Sequence, residues 1–170
     1  TALATGVKTF NGAIGVDEFG KPRLSVLELA AKNGKSTGLV TIAQVTDATP
    51  ASFGAHVQDR NQQSLIAKQF LEQSKPQVIL GGGEDRWYPV GNPGAFPDAP
   101  AEDPSERSIG TEGNLVERAK TLGYEYVTNT AQLKAAKSDK ILGLFANEEM
   151  FQQKPEGQGD VYNPTVSLAT

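Results

Sequence analysis

Three residues of this sequence combine side chains that could act together on a phosphate: Asp47, Thr49 two positions on, and Arg60. A planar guanidinium such as that of Arg60 holds two phosphate oxygens at once and keeps its charge at any working pH. The carboxylate of Asp47 and the hydroxyl of Thr49 are hard oxygen donors of the kind magnesium takes alongside retained waters. Each also has a plain structural reading. Thr49 followed by Pro50 makes a good helix start, with proline at the first helical position. Arg60 lies beside Asp59, and an exposed Arg–Asp pair contributes only about 0–1 kcal/mol. On the residues alone, both readings of Asp47-Ala48-Thr49-Pro50 stand.

Other candidates fail on order or number. Gly34-Lys35-Ser36 invites comparison with a phosphate-binding loop, but Leu29 occupies the place of the first glycine. The motif also follows a helix and precedes a strand, the reverse of the order that aims a helix N-terminus at a phosphate. Gly81-Gly82-Gly83 reads as a tight turn closing a strand. His56 is the only histidine and there is no cysteine, so a zinc site with two imidazoles or any thiolate cannot be assembled from this chain. A lone histidine on a helical segment, here Ser52 to Val57, reads as a hydrogen-bonding group of the structure.

The elements that must position these residues alternate along the chain. Ser25 to Lys32 is an amphipathic helix, opened by a capping box of Ser25 and Glu28 and stopped at Asn33-Gly34. Gly38 to Val45 is apolar and β-branched, as a buried strand of a parallel sheet would be. Gln62 to Ser74 then places Leu65, Ile66, Gln69, Phe70 and Gln73 on one helical side, and Gln77 to Leu80 follows as a short strand. Further on, Gly113 to Leu122 is predicted helical, Tyr124 to Val127 a strand, Thr130 to Lys137 a helix and Lys140 to Phe145 a strand. Alternating helices and strands predict an α/β fold with a mostly parallel sheet. Asp47 then falls at the C-terminal end of the first strand, where ligands gather in such sheets. Residues 88–111, rich in proline and glycine and without periodicity, read as a loop excursion decorating that core. Gln152 to Pro164 is similarly loop-like.

Bulk properties narrow the class. A chain of 170 residues with 38% hydrophobic composition suits a single domain. The net charge of −4, with both signs interspersed, provides no basic stripe for a nucleic acid. No stretch approaches the roughly 18 apolar residues of a membrane-spanning helix. Both ends, Thr1-Ala2-Leu3-Ala4-Thr5 and Val166-Ser167-Leu168-Ala169-Thr170, read as cut from a longer protein.

Four segments together resemble the alkaline phosphatase family. Thr1 to Thr9, continuing through Asn11-Gly12 to Ile14-Gly15-Val16-Asp17, is similar to the stretch after the family's nucleophilic serine. Val45-Thr46-Asp47-Ala48-Thr49-Pro50-Ala51 and Ala55-His56-Val57-Gln58-Asp59-Arg60 resemble its magnesium segment and its phosphate-binding arginine. Leu80-Gly81-Gly82-Gly83 is similar to a turn the family keeps, and Ile141 to Phe145 matches more loosely. The resemblance implies an internal fragment of an alkaline phosphatase-like three-layer fold, in which a mostly parallel central sheet is flanked by helices.

Carried over residue by residue, it implies that Thr49 is a magnesium ligand, that Asp47 holds a metal-bound water, and that Arg60 binds the phosphoryl group and stabilises the transition state. Many members carry histidine where Asp47 stands, and a carboxylate there favours magnesium over zinc. The family's Asp-Ser nucleophile and its zinc ligands would lie outside Thr1 to Thr170, so the chain alone is expected to be inactive. The parent is expected to hydrolyse phosphate monoesters through a phosphoserine, with two zinc ions and one magnesium, as a secreted or cell-surface homodimer. Two other readings remain: a non-catalytic α/β module, or a related metalloenzyme of the sulfatase or phosphoglycerate mutase type.

Overall fold

The structure, a computed structural model, describes residues 1–96, 107–152 and 161–162. After the short helix α1 (Ala2–Thr5) and a loop, α2 (Val26–Lys32) leads into β1 (Gly38–Gln44) and α3 (Ala48–Gly54). Next, α4 (Gln63–Gln69) runs into a π turn at Phe70–Ser74, then β2 (Val78–Gly82) and a 3-10 turn at Glu84–Arg86. The chain continues through α5 (Leu115–Thr121), β3 (Glu125–Val127), α6 (Thr130–Ala135) and β4 (Ile141–Leu144). Strands β1, β2, β4 and β3 form one sheet in that order, all parallel. The α/β alternation expected from the sequence is therefore present.

Local chemistry explains the starts of α2, α5 and α6. Ser25 Oγ accepts from the Glu28 N–H, while the Glu28 carboxylate accepts from the Ser25 N–H at 2.8 Å, so both arms of the capping box form. Asn114 and Asn129 cap α5 and α6 with one arm only, each accepting from a backbone N–H three residues on.

The two sheet faces are covered unequally. Ile66, Ala67, Phe70 and Leu71 from α4 and its π turn, with Val116 and Ala119 from α5, pack onto Ile79, Leu142 and Leu144. Burying side chains such as Phe70 and Ile66 contributes about 1.5–3 kcal/mol each. The opposite face carries the smaller cluster of Val127, Phe145 and Met150.

Several expectations need correction. Among the described residues β1 is an edge strand with one neighbour, β2, and Val40 is 57% exposed. The helix over 62–74 does not bury one regular stripe. The π turn inserts an extra residue, so Leu71 and Ser74 turn inward while Gln73 stays exposed. Gly81 and Gly82 belong to β2 rather than to a turn, since the segment after β4 crosses so close that a Cβ on Gly82 would sit 1.9 Å from the Glu148 carbonyl oxygen. Only Gly83, at φ 93°, turns the chain. Within 152–164, expected to be loop, Val161–Tyr162 (β6) pairs antiparallel with Phe151–Gln152 (β5). The rest of that stretch, and the centre of the 88–111 excursion, lie outside the described residues.

The base of that excursion is tied down by a buried acid. Glu84 accepts from the N–H groups of Ala95 and Phe96, the latter at 3.0 Å, and from the Tyr126 hydroxyl. Burial, followed by the Glu84 charge, raises the Tyr126 phenol far above its ordinary pKa, so it remains a donor. Pro89 and Gly110 bridge the two ends of the excursion.

Candidate functional site

The site residues meet where β1 gives way to α3. Thr46, fully buried, donates its hydroxyl to Gln63 Oε1 at 2.6 Å and pins the strand end to the start of α4. Asp47 follows as the N-cap residue of α3, with extended backbone, but its side chain caps nothing. Instead, Asp47 Oδ1 accepts from Arg60 across thirteen residues. This overturns the reading of Thr49 as N-cap and Pro50 as first helical residue: the helix begins at Ala48. It equally replaces the expected pairing of Arg60 with neighbouring Asp59, whose Oδ1 accepts from the Asn61 N–H at 2.9 Å.

Arg60 is presented by an irregular segment held at several points. Its N–H donates to the Gly12 carbonyl at 2.8 Å, and Val57 and Ile14 exchange two hydrogen bonds of 2.9 and 2.8 Å. The loop 12–15 thus serves as a strap along residues 57–60. With 47% of its side chain exposed against 38% for Asp47, the guanidinium has solvent-facing N–H groups left to bind an anion. Thr49 is exposed too and lines a groove of about 480 Å³ between α2, β1 and α3. The fold therefore joins Asp47 to Arg60 directly, while Thr49 lies on the first turn of the same helix with no hydrogen bond to either.

His56 is not on a helix, because α3 ends at Gly54 and the chain is extended at Ala55. Both ring nitrogens are engaged: Nδ1 donates to the Gly15 carbonyl at 2.7 Å, and Nε2 meets the Glu28 carboxylate at 2.9 Å. Neither is available to a metal. Among the described residues, no three His, Cys, Asp or Glu side chains gather to hold an ion. What the site provides is the half-exposed Asp47 carboxylate and the exposed Thr49 hydroxyl, an all-oxygen pair that suits part of a magnesium shell and does not suit zinc. Gln63, Gly12 and Ile14, which help fix the positions of Asp47 and Arg60, were given no such role from the sequence; Gly12 and Ile14 fall in the family-like stretch near the start of the chain, and nothing in the sequence marks Gln63.

A parallel α/β sheet with a half-exposed arginine and hard oxygen donors at a strand's C-terminal end defines the broad class. A family model described as alkaline phosphatase matches residues 1–167, and the chain belongs to that family. Alkaline phosphatase 4 of Bacillus subtilis is 41% identical over 86% of this chain and 28% of its own length. The repressible alkaline phosphatase of Saccharomyces cerevisiae is 36% identical over 88% of this chain and 27% of its own. Among solved structures, the Thermus thermophilus alkaline phosphatase superposes with a TM-score of 0.71 at 33% identity, covering 87% of this chain and 28% of that one. A cold-active enzyme from Shewanella matches with a TM-score of 0.67 at 37% identity, over 87% and 31% of the respective chains. The chain thus spans under a third of each of these relatives.

Proposed function

We propose that this chain supplies the phosphate clamp and part of the magnesium site of a phosphomonoester hydrolase, and that it does not turn over substrate by itself. The observation that carries the proposal is the Arg60–Asp47 contact at the C-terminal end of β1, which sets a cation for the phosphoryl group against a carboxylate for a metal. Arg60 holds two non-bridging oxygens of the phosphate and balances the charge they gain during transfer. Asp47 aims the guanidinium, and Asp47 with Thr49 would hold magnesium, the carboxylate from outside its inner shell and the Thr49 hydroxyl as a direct donor. Bound metal ions would polarise the phosphoryl group and stabilise the attacking and leaving oxygens.

Family membership supports the substrate class, since the relatives are alkaline phosphatases. A solved variant of the TAB5 enzyme, with aspartate replacing a histidine, carries magnesium in its M3 site. That supports pairing a carboxylate with magnesium at Asp47. The serine nucleophile and the zinc ligands come from other parts of the parent, which we take to be a secreted or cell-surface homodimer.

Two assays test this reading. With zinc and magnesium at alkaline pH, the purified chain should leave a chromogenic phosphate monoester unhydrolysed; metal-dependent turnover above background would refute the claim of inactivity. Calorimetric titration with inorganic phosphate should show binding that strengthens when magnesium draws the Asp47 charge away from Arg60. Absence of any phosphate binding would favour the non-catalytic α/β module.

A further inference from the structure

We infer that His56, braced by Glu28 and Gln69, is the positioning residue for Arg60; the role of Arg60 itself rests on the function proposed above. Residues 55–62, between α3 and α4, lack the repeating hydrogen bonds of a helix or strand, so anything that aims Arg60 must come from side chains and from the loop alongside. His56 gathers more of those contacts than any neighbour in the segment. Its ring joins the Gly15 carbonyl on the strap and the Glu28 carboxylate on α2. Its own backbone is gripped from α4: Gln69 Oε1 accepts from the His56 N–H at 2.6 Å, and Gln69 Nε2 donates to the His56 carbonyl at 3.1 Å. One residue therefore ties α2, α4 and the strap together, four positions before the guanidinium.

The tie is tight. A Cβ on Gly15, which sits at φ 61°, would lie 2.0 Å from the Ala55 carbonyl oxygen and 2.7 Å from His56 Nδ1. The strap consequently lies in contact with 55–56, and its next residues hold Val57 and Arg60 by backbone hydrogen bonds. Glu28 cannot drift either, because its second oxygen caps Ser25, whose hydroxyl donates to the Phe53 carbonyl at 2.5 Å. The capping box of α2 is thus also the post on which His56 rests. A two-oxygen clamp tolerates displacements of only about 0.5 Å, so slack at His56 reaches phosphate binding through the backbone of Arg60.

The experiment uses the isotope-labelled chain, with two NMR readouts and four variants. Amide hydrogen exchange at Val57 and Arg60 is compared with that at Ile79 and Leu142 in the sheet, and the Arg60 Nε–Hε signal is titrated with inorganic phosphate. In His56→Ala and Gln69→Ala, exchange at Val57 and Arg60 should rise about ten-fold relative to the sheet amides, and phosphate affinity should fall about ten-fold, the worth of one or two hydrogen bonds. His56→Asn places an amide N–H where Nδ1 donates and should restore most of both. Val116→Ala, a core truncation on α5 away from the tie, should speed exchange everywhere together and leave phosphate affinity unchanged.

If Val57 and Arg60 exchange in step with the sheet in His56→Ala, or if its affinity stays within twofold of the parent chain, the inference is wrong. Should His56→Ala fail to fold, Gln69→Ala and His56→Asn decide the matter. A native chain whose Arg60 signal ignores phosphate would sink the proposed clamp, while the exchange comparison would still decide the positioning role.

Discussion

Replacing Arg60 by alanine should separate function from folding. Arg60 and Asp47 are 47% and 38% exposed, and a pair so open to solvent contributes at most about 1 kcal/mol. In a domain of this size that corresponds to a fall in Tm of about 2–4 °C. Phosphate binding should suffer far more. A guanidinium gripping two phosphate oxygens makes two charge-assisted hydrogen bonds, each worth about 1.5–3 kcal/mol. Taking the low end of that range for a half-exposed site, the loss is about 3 kcal/mol, or about a hundred-fold in Kd. Arg60→Lys keeps the charge without the fork and should fall between, near ten-fold. Calorimetric phosphate titrations at constant ionic strength, paired with thermal melts, measure both quantities. The reasoning is refuted if Arg60→Ala weakens phosphate binding less than threefold, or if it lowers Tm by more than about 10 °C, which would make Arg60 a structural residue.

Three further outcomes are expected. Gly15→Ala should cost about 3 kcal/mol or more, seen in chemical denaturation, because it adds a Cβ at φ 61° directly against the Ala55 carbonyl. Acidification should weaken the fold partly through Asp17, whose carboxyl is held below its usual value chiefly by the Lys21 N–H, with help from Arg23 and Phe19 against the opposing effect of burial. That contribution is complete above the unfolded pKa near 3.8 and is lost as pH falls through the lower folded value, so Asp17→Asn should flatten the acid limb of a stability–pH curve. At the alkaline end, burial pushes the Tyr124 phenol up to about 12. Folding keeps its proton on, so the stabilisation is full below the ordinary value of 10 and disappears as pH rises toward 12. Ultraviolet titration should accordingly find phenols still protonated above pH 10 in the folded chain; normal ionisation of every tyrosine would contradict the burial argument.

Most helices and strands were legible because local signals wrote them: Ser25 with Glu28, Asn33-Gly34, and the β-branched run at 38–45. Errors arose where neighbours override local preference. Gly81 and Gly82 read as a turn by composition, yet they are strand because a crossing segment leaves no room for side chains. Gln73 fits the helical stripe by count, but the π turn rotates it outward.

What the sequence determined by itself is the alternation of helix and strand, the family the chain belongs to, and the residues proposed to grip phosphate and magnesium, because each is carried by residue type and order along the chain. Tertiary structure alone decided that Asp47 turns from its helix to Arg60, that His56 rests between Glu28 and Gly15, and that β1 lies at the edge of the sheet formed by the described residues. Those outcomes depend on distances between segments far apart in sequence, and such distances are set by packing, which no local pattern encodes.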